Sequence, residues 1–95
     1  MSKIKSSIAQ SVTTVAIEIY DAQANNRPHH FTSLVKIFEG KISRNIICMC
    51  LDILSDFELL EEEYAKIDEN HSGKIIKISE VGIPLVRIWK ENNRI

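Results

Sequence analysis

Apolar residues recur at helical spacing through the first quarter of the chain. Ile8, Val12, Val15, Ala16 and Ile19 fall on one face, widened by Ile17 and Tyr20, and Ser6 or Ser7 is placed to cap the helix they define. The run Asn25-Asn26-Arg27-Pro28 ends it, because the residue before a proline avoids the helical region. A second helix is expected from Thr32 or Ser33, carrying Leu34, Val35, Ile37 and Phe38, with Phe31 as an apolar staple ahead of it and Gly40 as its terminator. Ser43 then caps a third helix, residues 44–57, whose core stripe is Ile47, Cys50, Leu51 and Leu54.

The pattern changes after that helix. Glu and Leu in Leu59-Leu60-Glu61-Glu62-Glu63-Tyr64-Ala65-Lys66-Ile67 favour helix by propensity. The run leads, however, into the polar cluster Asp68-Glu69-Asn70-His71-Ser72-Gly73 and then Lys74-Ile75-Ile76-Lys77-Ile78, which predicts two strands joined as a hairpin. A last helix opens at Ser79 or nearer Pro84, since proline in a second turn removes a backbone bond but is tolerated at a helix start. Ile83, Leu85, Val86, Ile88 and Trp89 make it heavily apolar. The predicted order is helix, helix, helix, strand, strand, helix: an α+β fold, mainly α, in a single domain over residues 1–95.

Composition supports a folded protein. With 44% hydrophobic and 26% charged residues, and only three glycines and two prolines, disorder is not expected. A domain of 95 residues buries roughly two thirds of the surface its unfolded chain exposes, which leaves apolar surface for a partner to cover. No apolar run reaches the roughly twenty residues needed to span a bilayer, and MSKIKSSIAQ lacks the apolar stretch of a signal peptide. A cytoplasmic protein without membrane partners is therefore expected. Cys48 and Cys50 lie two apart on one helix, pointing about 200° from each other, so they read as reduced core or near-core thiols. No metal or cofactor is expected. His29 and His30 read as surface loop histidines, and Asp68, Glu69, Asn70 and Ser72 lack the order of a calcium loop. Nothing in the sequence sets a serine or acid beside a base and an orienting group, so catalysis is not expected.

The phrase ISRNIICMCLDILSDFELLE followed by Ile76-Lys77-Ile78-Ser79-Glu80-Val81-Gly82 resembles the recognition helix, following strand and end-of-wing motif of the winged helix-turn-helix transcription regulators of bacteria and archaea, the broad group that includes the MarR, PadR and ArsR families. The resemblance covers residues 31–89. It implies a helix-turn-helix and wing over 31–78, a C-terminal helix over 79–95, and a helix in residues 1–30 of the kind such families use for dimerisation. Glu58 stands where the group often has glycine, so the bend after the third helix is expected without a left-handed residue.

What the resemblance implies for function is a dimeric regulator binding double-stranded DNA, with helix 44–57 in the major groove and the wing on flanking DNA. Arg44 and Asn45 lie in the first turn, where Arg can bond guanine and Asn adenine in bidentate fashion; as residues they would equally serve a solvated helix start. Lys41, Ser43, Thr32 and Ser33 are candidates for phosphate contact or simple capping. His71 and Lys74 at the hairpin are candidates for flanking DNA, or belong to an exposed turn. Ile8, Val12, Val15 and Ile19, with Leu85, Ile88 and Trp89, are candidates for a homodimer interface.

Charge complicates that picture. The net charge is −1, and residues 41–78, which should meet DNA, carry five Lys/Arg against eight Asp/Glu. Ile46, Met49, Ile53 and Phe57 extend the apolar face of the third helix, and the flank formed by Ile46, Met49 and Ile53 reads as covered by another helix or a partner. A winged-helix protein-interaction module is the second reading these features allow.

Overall fold

The computed structural model describes the backbone of residues 3–68 and 71–93 and the side chains of 8–66 and 73–93. Its elements run α1 (Lys3–Ala24), β1 (His29–His30), α2 (Phe31–Ile37), α3 (Arg44–Asp56), β2 (Leu60–Asp68), β3 (His71–Ile78) and α4 (Ile83–Asn92). The predicted mainly helical order is present, with β1 added.

α1 begins ahead of the predicted Ser6 or Ser7 cap and forms the spine of the molecule, packing on α3, α4 and β3. Val15, Ala16 and Ile19 are wholly buried on its inner face. This corrects the expectation for Val15 and Ile19, which lie in the core of the chain itself and have no surface left for a second subunit. At its end Asn26 turns left-handed at φ 60°, Arg27 N–H bonds the Ala22 carbonyl at 2.9 Å and Asn26 N–H bonds that of Gln23 at 3.1 Å. These bonds satisfy carbonyls that a helix end leaves open. The Gln23 amide then completes the edge of β3, accepting from Ile78 N–H at 2.6 Å and donating to its carbonyl at 3.3 Å.

β1, β3 and β2 form an antiparallel sheet in that order, with His29 opposite Ile76 and Leu60 opposite Ile78. The two histidines expected in a surface loop are thus strand residues beside the core. Phe31, predicted as a staple outside α2, is its first residue. Leu34, Ile47, Cys50, Leu54, Ile76, Ile78 and Val86 fill the space between sheet and helices, each nearly or fully buried. Burying a side chain such as Leu or Ile contributes roughly 1.5–3 kcal/mol. Burial also pushes the Cys50 thiol above its ordinary value, because the apolar surroundings penalise the thiolate. Cys48, by contrast, is exposed rather than near the core.

The passage from α3 to the wing departs most instructively from expectation. Glu58 does adopt the left-handed conformation, at φ 59°, while Glu58 N–H bonds the Ser55 carbonyl and Leu59 N–H that of Leu54, both at 2.9 Å. Glutamate makes the turn usually given to glycine, and the buried Leu59 anchors it against the core. Ser79 fastens the other side. Its N–H bonds the Leu59 carbonyl at 2.9 Å, its hydroxyl donates to the Glu58 carbonyl at 2.8 Å, and its oxygen accepts from Gly82 N–H at 3.1 Å.

Gly82 is required by space, since a Cβ there would lie 2.9 Å from the Leu59 carbonyl oxygen and 3.0 Å from the Ile78 Cγ2. α4 starts after it, with Pro84 in the first turn where a missing N–H costs no helical bond. None of the described helices is long and apolar enough to cross a membrane.

Candidate nucleic-acid interface

Ser43 sets the start of α3: its backbone is extended, its Oγ accepts from Ile46 N–H at 3.3 Å, and its carbonyl accepts from Ile47 N–H at 3.0 Å. The turn before it is closed by Lys41 and Ile42 N–H groups on the Phe38 carbonyl, with Gly40 at φ 82°. Ile42 packs on the core, so Lys41, Ser43, Arg44 and Asn45 are left exposed around the helix start.

Arg44 does not hang free. Its guanidinium lies over the Phe31 ring, 5.3 Å from the centroid, above a small hollow of about 110 Å³ that Thr32 and Val35 complete. An aromatic face attracts a cation by its quadrupole, by about 0.5–1 kcal/mol at an exposed site. Phe31 is therefore a platform that limits where the guanidinium can point. In the sequence Phe31 carries only the mark of a staple, and its separation of thirteen positions from Arg44 leaves no local signal of the pairing.

Thr32 and Arg44 are thus brought together across the two helices, with Ser43 beside them as a cap. Ser33 is different. Its hydroxyl oxygen lies 3.1 Å from His30 N, 3.0 Å from His30 O and 2.9 Å from His29 Nδ1, while His29 Nε2 lies 2.8 Å from Glu18 Oε2. Ser33 Oγ accepts from His30 N–H, and its one proton has two acceptors within reach, the His30 carbonyl and, in the Nε2–H tautomer of His29 that donates to Glu18, Nδ1. Ser33 is occupied in joining α1, β1 and α2, which corrects its expected place as a phosphate contact.

The order hydroxyl, imidazole, carboxylate in Ser33, His29 and Glu18 is that of a nucleophile relay, and the sequence had given no sign of it. The half-buried Ser33 oxygen also reciprocates the backbone of His30 at the start of α2. Its environment is that of a structural tie, and no described group of three His, Cys, Asp or Glu side chains could hold a metal.

On the wing, Lys74 is exposed and stands opposite Tyr64, its ammonium 5.7 Å from the ring centroid. His71 opens β3, and its side chain lies outside the described residues. β2 is an edge strand whose Glu61, Glu62 and Glu63 are all exposed, and among the described residues only Glu63 has a cation nearby, Lys77 at 3.6 Å. Charges on an edge strand discourage pairing with another chain. They also keep phosphate away from that side of the wing. Asp52 and Asp56, exposed along α3, do the same beyond its first turn.

The apolar flank of α3 is only partly covered. Ile46 packs on the core and Ile53 is half-buried, but Met49 is 42% exposed and Phe57 70% exposed, so the described chain leaves part of Met49 and most of Phe57 open. Of the expected dimer residues, Ile8, Val12 and Trp89 are half-buried, while Leu85 and Ile88 are 37% and 56% exposed.

A helix-turn-helix pair braced by α1, followed by an antiparallel hairpin and a closing helix, defines a winged helix-turn-helix domain. No family model and no curated protein sequence matches the chain. Solved structures share its fold. A PadR family transcription regulator from hypervirulent Clostridium difficile R20291 superposes with a TM-score of 0.65 at 11% identity, over 87% of this chain and 86% of that one. A PadR family transcriptional regulator from Eggerthella lenta DSM 2243 gives 0.61 at 18% identity, over 94% and 81%. The reduced form of the transcriptional regulator YodB from B. subtilis gives 0.61 at 20% identity, over 97% and 88%.

Proposed function

We propose that this chain is a dimeric DNA-binding transcription regulator. α3 enters the major groove with Arg44 and Asn45 leading, Thr32, Lys41 and Ser43 hold the phosphates beside it, and Lys74 with His71 brings the wing to flanking DNA. The observation that carries the reading is the exposed start of α3, where the Arg44 guanidinium is steadied on Phe31 beside Thr32. A steadied fork loses less freedom when it pairs with a guanine edge, which favours a bidentate contact. Likeness of fold to PadR regulators and YodB supports the same reading. Dimerisation rests on the outer face of α4, where Leu85 and Ile88 are exposed, together with Ile8 and Val12 of α1 and the rim of Trp89. Two half-sites then supply the contact area that one small module lacks.

A salt titration of binding to mixed genomic duplex fragments tests the reading. A steep, log-linear loss of affinity with salt is expected, because phosphate contacts release counterions. Absence of binding at low salt would instead favour a protein-interaction module, which the exposed Phe57 and the acidic outer strand of the wing would suit.

A further inference from the structure

Between the segment that joins α1 to α2 and the outer part of β2 lies an open cleft of about 550 Å³. Arg27, His30, Ser33 and Lys66 line it along with His29 and Ile75, and among the described residues no carboxylate does. That composition is unexpected in a chain of net charge −1 whose wing carries an exposed row of glutamates. The Arg27 and Lys66 side chains are exposed, and neither is paired with an acid among the described residues.

The described acids nearest this cleft are already engaged. Glu18 and Asp21 line a neighbouring hollow that shares Arg27 and His29 with this cleft, but not the cleft itself. Glu18 holds His29 at 2.8 Å, and Asp21 holds Lys90 of α4 at 2.6 Å. Glu63, opposite Ile75 on the wing, is directed to Lys77. Two cations with no acid partner among the described residues therefore face one concavity with two imidazoles beside them, so the described side chains that line it favour an anion, while the outer strand of the wing beyond it carries the row of glutamates.

We infer that this cleft is a phosphate site, and that its occupant is the sugar-phosphate backbone of duplex DNA where it passes between α2 and the wing. The assignment of DNA as occupant rests on the function proposed above; the affinity for phosphate does not. Arg27 contributes a planar fork suited to two phosphate oxygens, and Lys66 a mobile point charge on the opposite wall. The two sides come from segments about forty residues apart in sequence, which is why neither residue stands out in the linear pattern. Contact here gives the wing a foothold on DNA despite its acidic outer strand.

The test uses the full chain and the double variant Arg27→Ala/Lys66→Ala, whose side chains are exposed and whose thermal midpoint should match the parent. Arg27→Lys/Lys66→Arg serves as the charge-preserving control. In one arm, inorganic pyrophosphate is titrated at low salt while backbone amide resonances are followed. Shifts confined to residues around Arg27, His30 and Lys66, present in the parent and the control but lost in the alanine variant, are expected. In the other arm, binding to a duplex is measured against salt, and the slope of log affinity should fall by about two in the alanine variant, one for each phosphate released.

Loss of the pyrophosphate response with an unchanged duplex slope would overturn the DNA backbone as occupant and assign the cleft to a small phosphorylated ligand. A parent chain that binds pyrophosphate but no duplex would sustain the phosphate site and sink the DNA reading. If the parent binds duplex and neither arm responds to the alanine variant, the inference is wrong.

Discussion

At one end of α3, Leu59, Ser79 and Gly82 meet so closely that a single methyl group has no room, and every polar atom of Ser79 is spoken for. At the other end, Arg44 and Asn45 stand exposed, with an aromatic ring beneath the guanidinium as the one described contact that steadies it. The two ends of the same helix are thus under different constraints. The crowded end fixes the angle between helix, wing and α4, and a change there must be felt as stability. The open end carries little of the fold, so its residues are free to be chosen for what they touch. An exposed helix start that can change without unfolding its support separates binding from stability, and the contrast can be broken experimentally from either end.

The largest effect is expected from Gly82→Ala. The added carbon would lie 2.9 Å from a backbone oxygen and 3.0 Å from Ile78, neither of which can move aside without shifting the sheet or the turn. A loss of about 3 kcal/mol is expected, as for overpacking in a core. In a domain of this size that lowers the thermal midpoint by roughly 12–24 °C. A melt within a few degrees of the parent would show that the junction is looser than its distances indicate.

Ser79→Ala should cost about 2 kcal/mol in chemical denaturation. It strands the Glu58 carbonyl and removes the side-chain acceptor for Gly82 N–H, although that N–H also reaches the Ser79 carbonyl at 2.9 Å. Arg44→Ala should do the reverse. Stability should fall by no more than about 1 kcal/mol, the worth of the exposed contact with Phe31, since no buried contact is lost. Binding to a preferred duplex should weaken by roughly 1–3 kcal/mol with preference relaxed at one base position. Equal weakening on all sequences would make Arg44 a phosphate contact and leave base reading to Asn45.

The same contrast separates what the sequence disclosed from what it concealed. Helical periodicity placed α3 and its stripe of Ile47, Cys50 and Leu54, and the hairpin followed from two apolar runs about a polar cluster, because both signals are local. Ser79 and Gly82 were legible as a motif, but the reason for them was not: the Ser79 hydroxyl acts on residue 58 and Gly82 makes room for residue 59, both about twenty positions away. β1 escaped because two residues are too short for a pattern, and its partner lies more than forty residues on. Periodicity defines a face without saying which neighbour covers it, so the pattern alone leaves Val15 and Ile19 open to a partner, whereas folding makes α1 the spine and buries both. At the candidate interface, Arg44 and Asn45 were read from the helix start, whereas the Phe31 platform and the Arg27 and Lys66 cleft exist only after folding.

The smallest effect sharpens the comparison by setting the crowded end of α3 beside the end of α1. Asn26 and Glu58 occupy the same position after α1 and α3, at φ 60° and φ 59°, and each is followed by a backbone bond that reaches five residues back. Asparagine tolerates this left-handed conformation because its short side chain bonds locally, whereas glutamate has no such compensation. Glu58→Gly should therefore relieve strain on the order of 1 kcal/mol or more, part of it offset by the greater freedom glycine restores to the unfolded chain. A net gain of about 0.5–1 kcal/mol is expected from Glu58→Gly, with little or none from Asn26→Gly. Both variants keep the backbone carbonyls that the junction and the helix ends use, so the difference between them isolates the conformational cost. If denaturant midpoints rise equally or not at all, glutamate is at ease in this turn and the junction stores no strain. If only the Glu58 variant gains, the chain has kept a strained residue at the hinge between its helix and its wing, and DNA affinity measured on the relaxed variant will tell whether that strain is used in setting the angle of the wing.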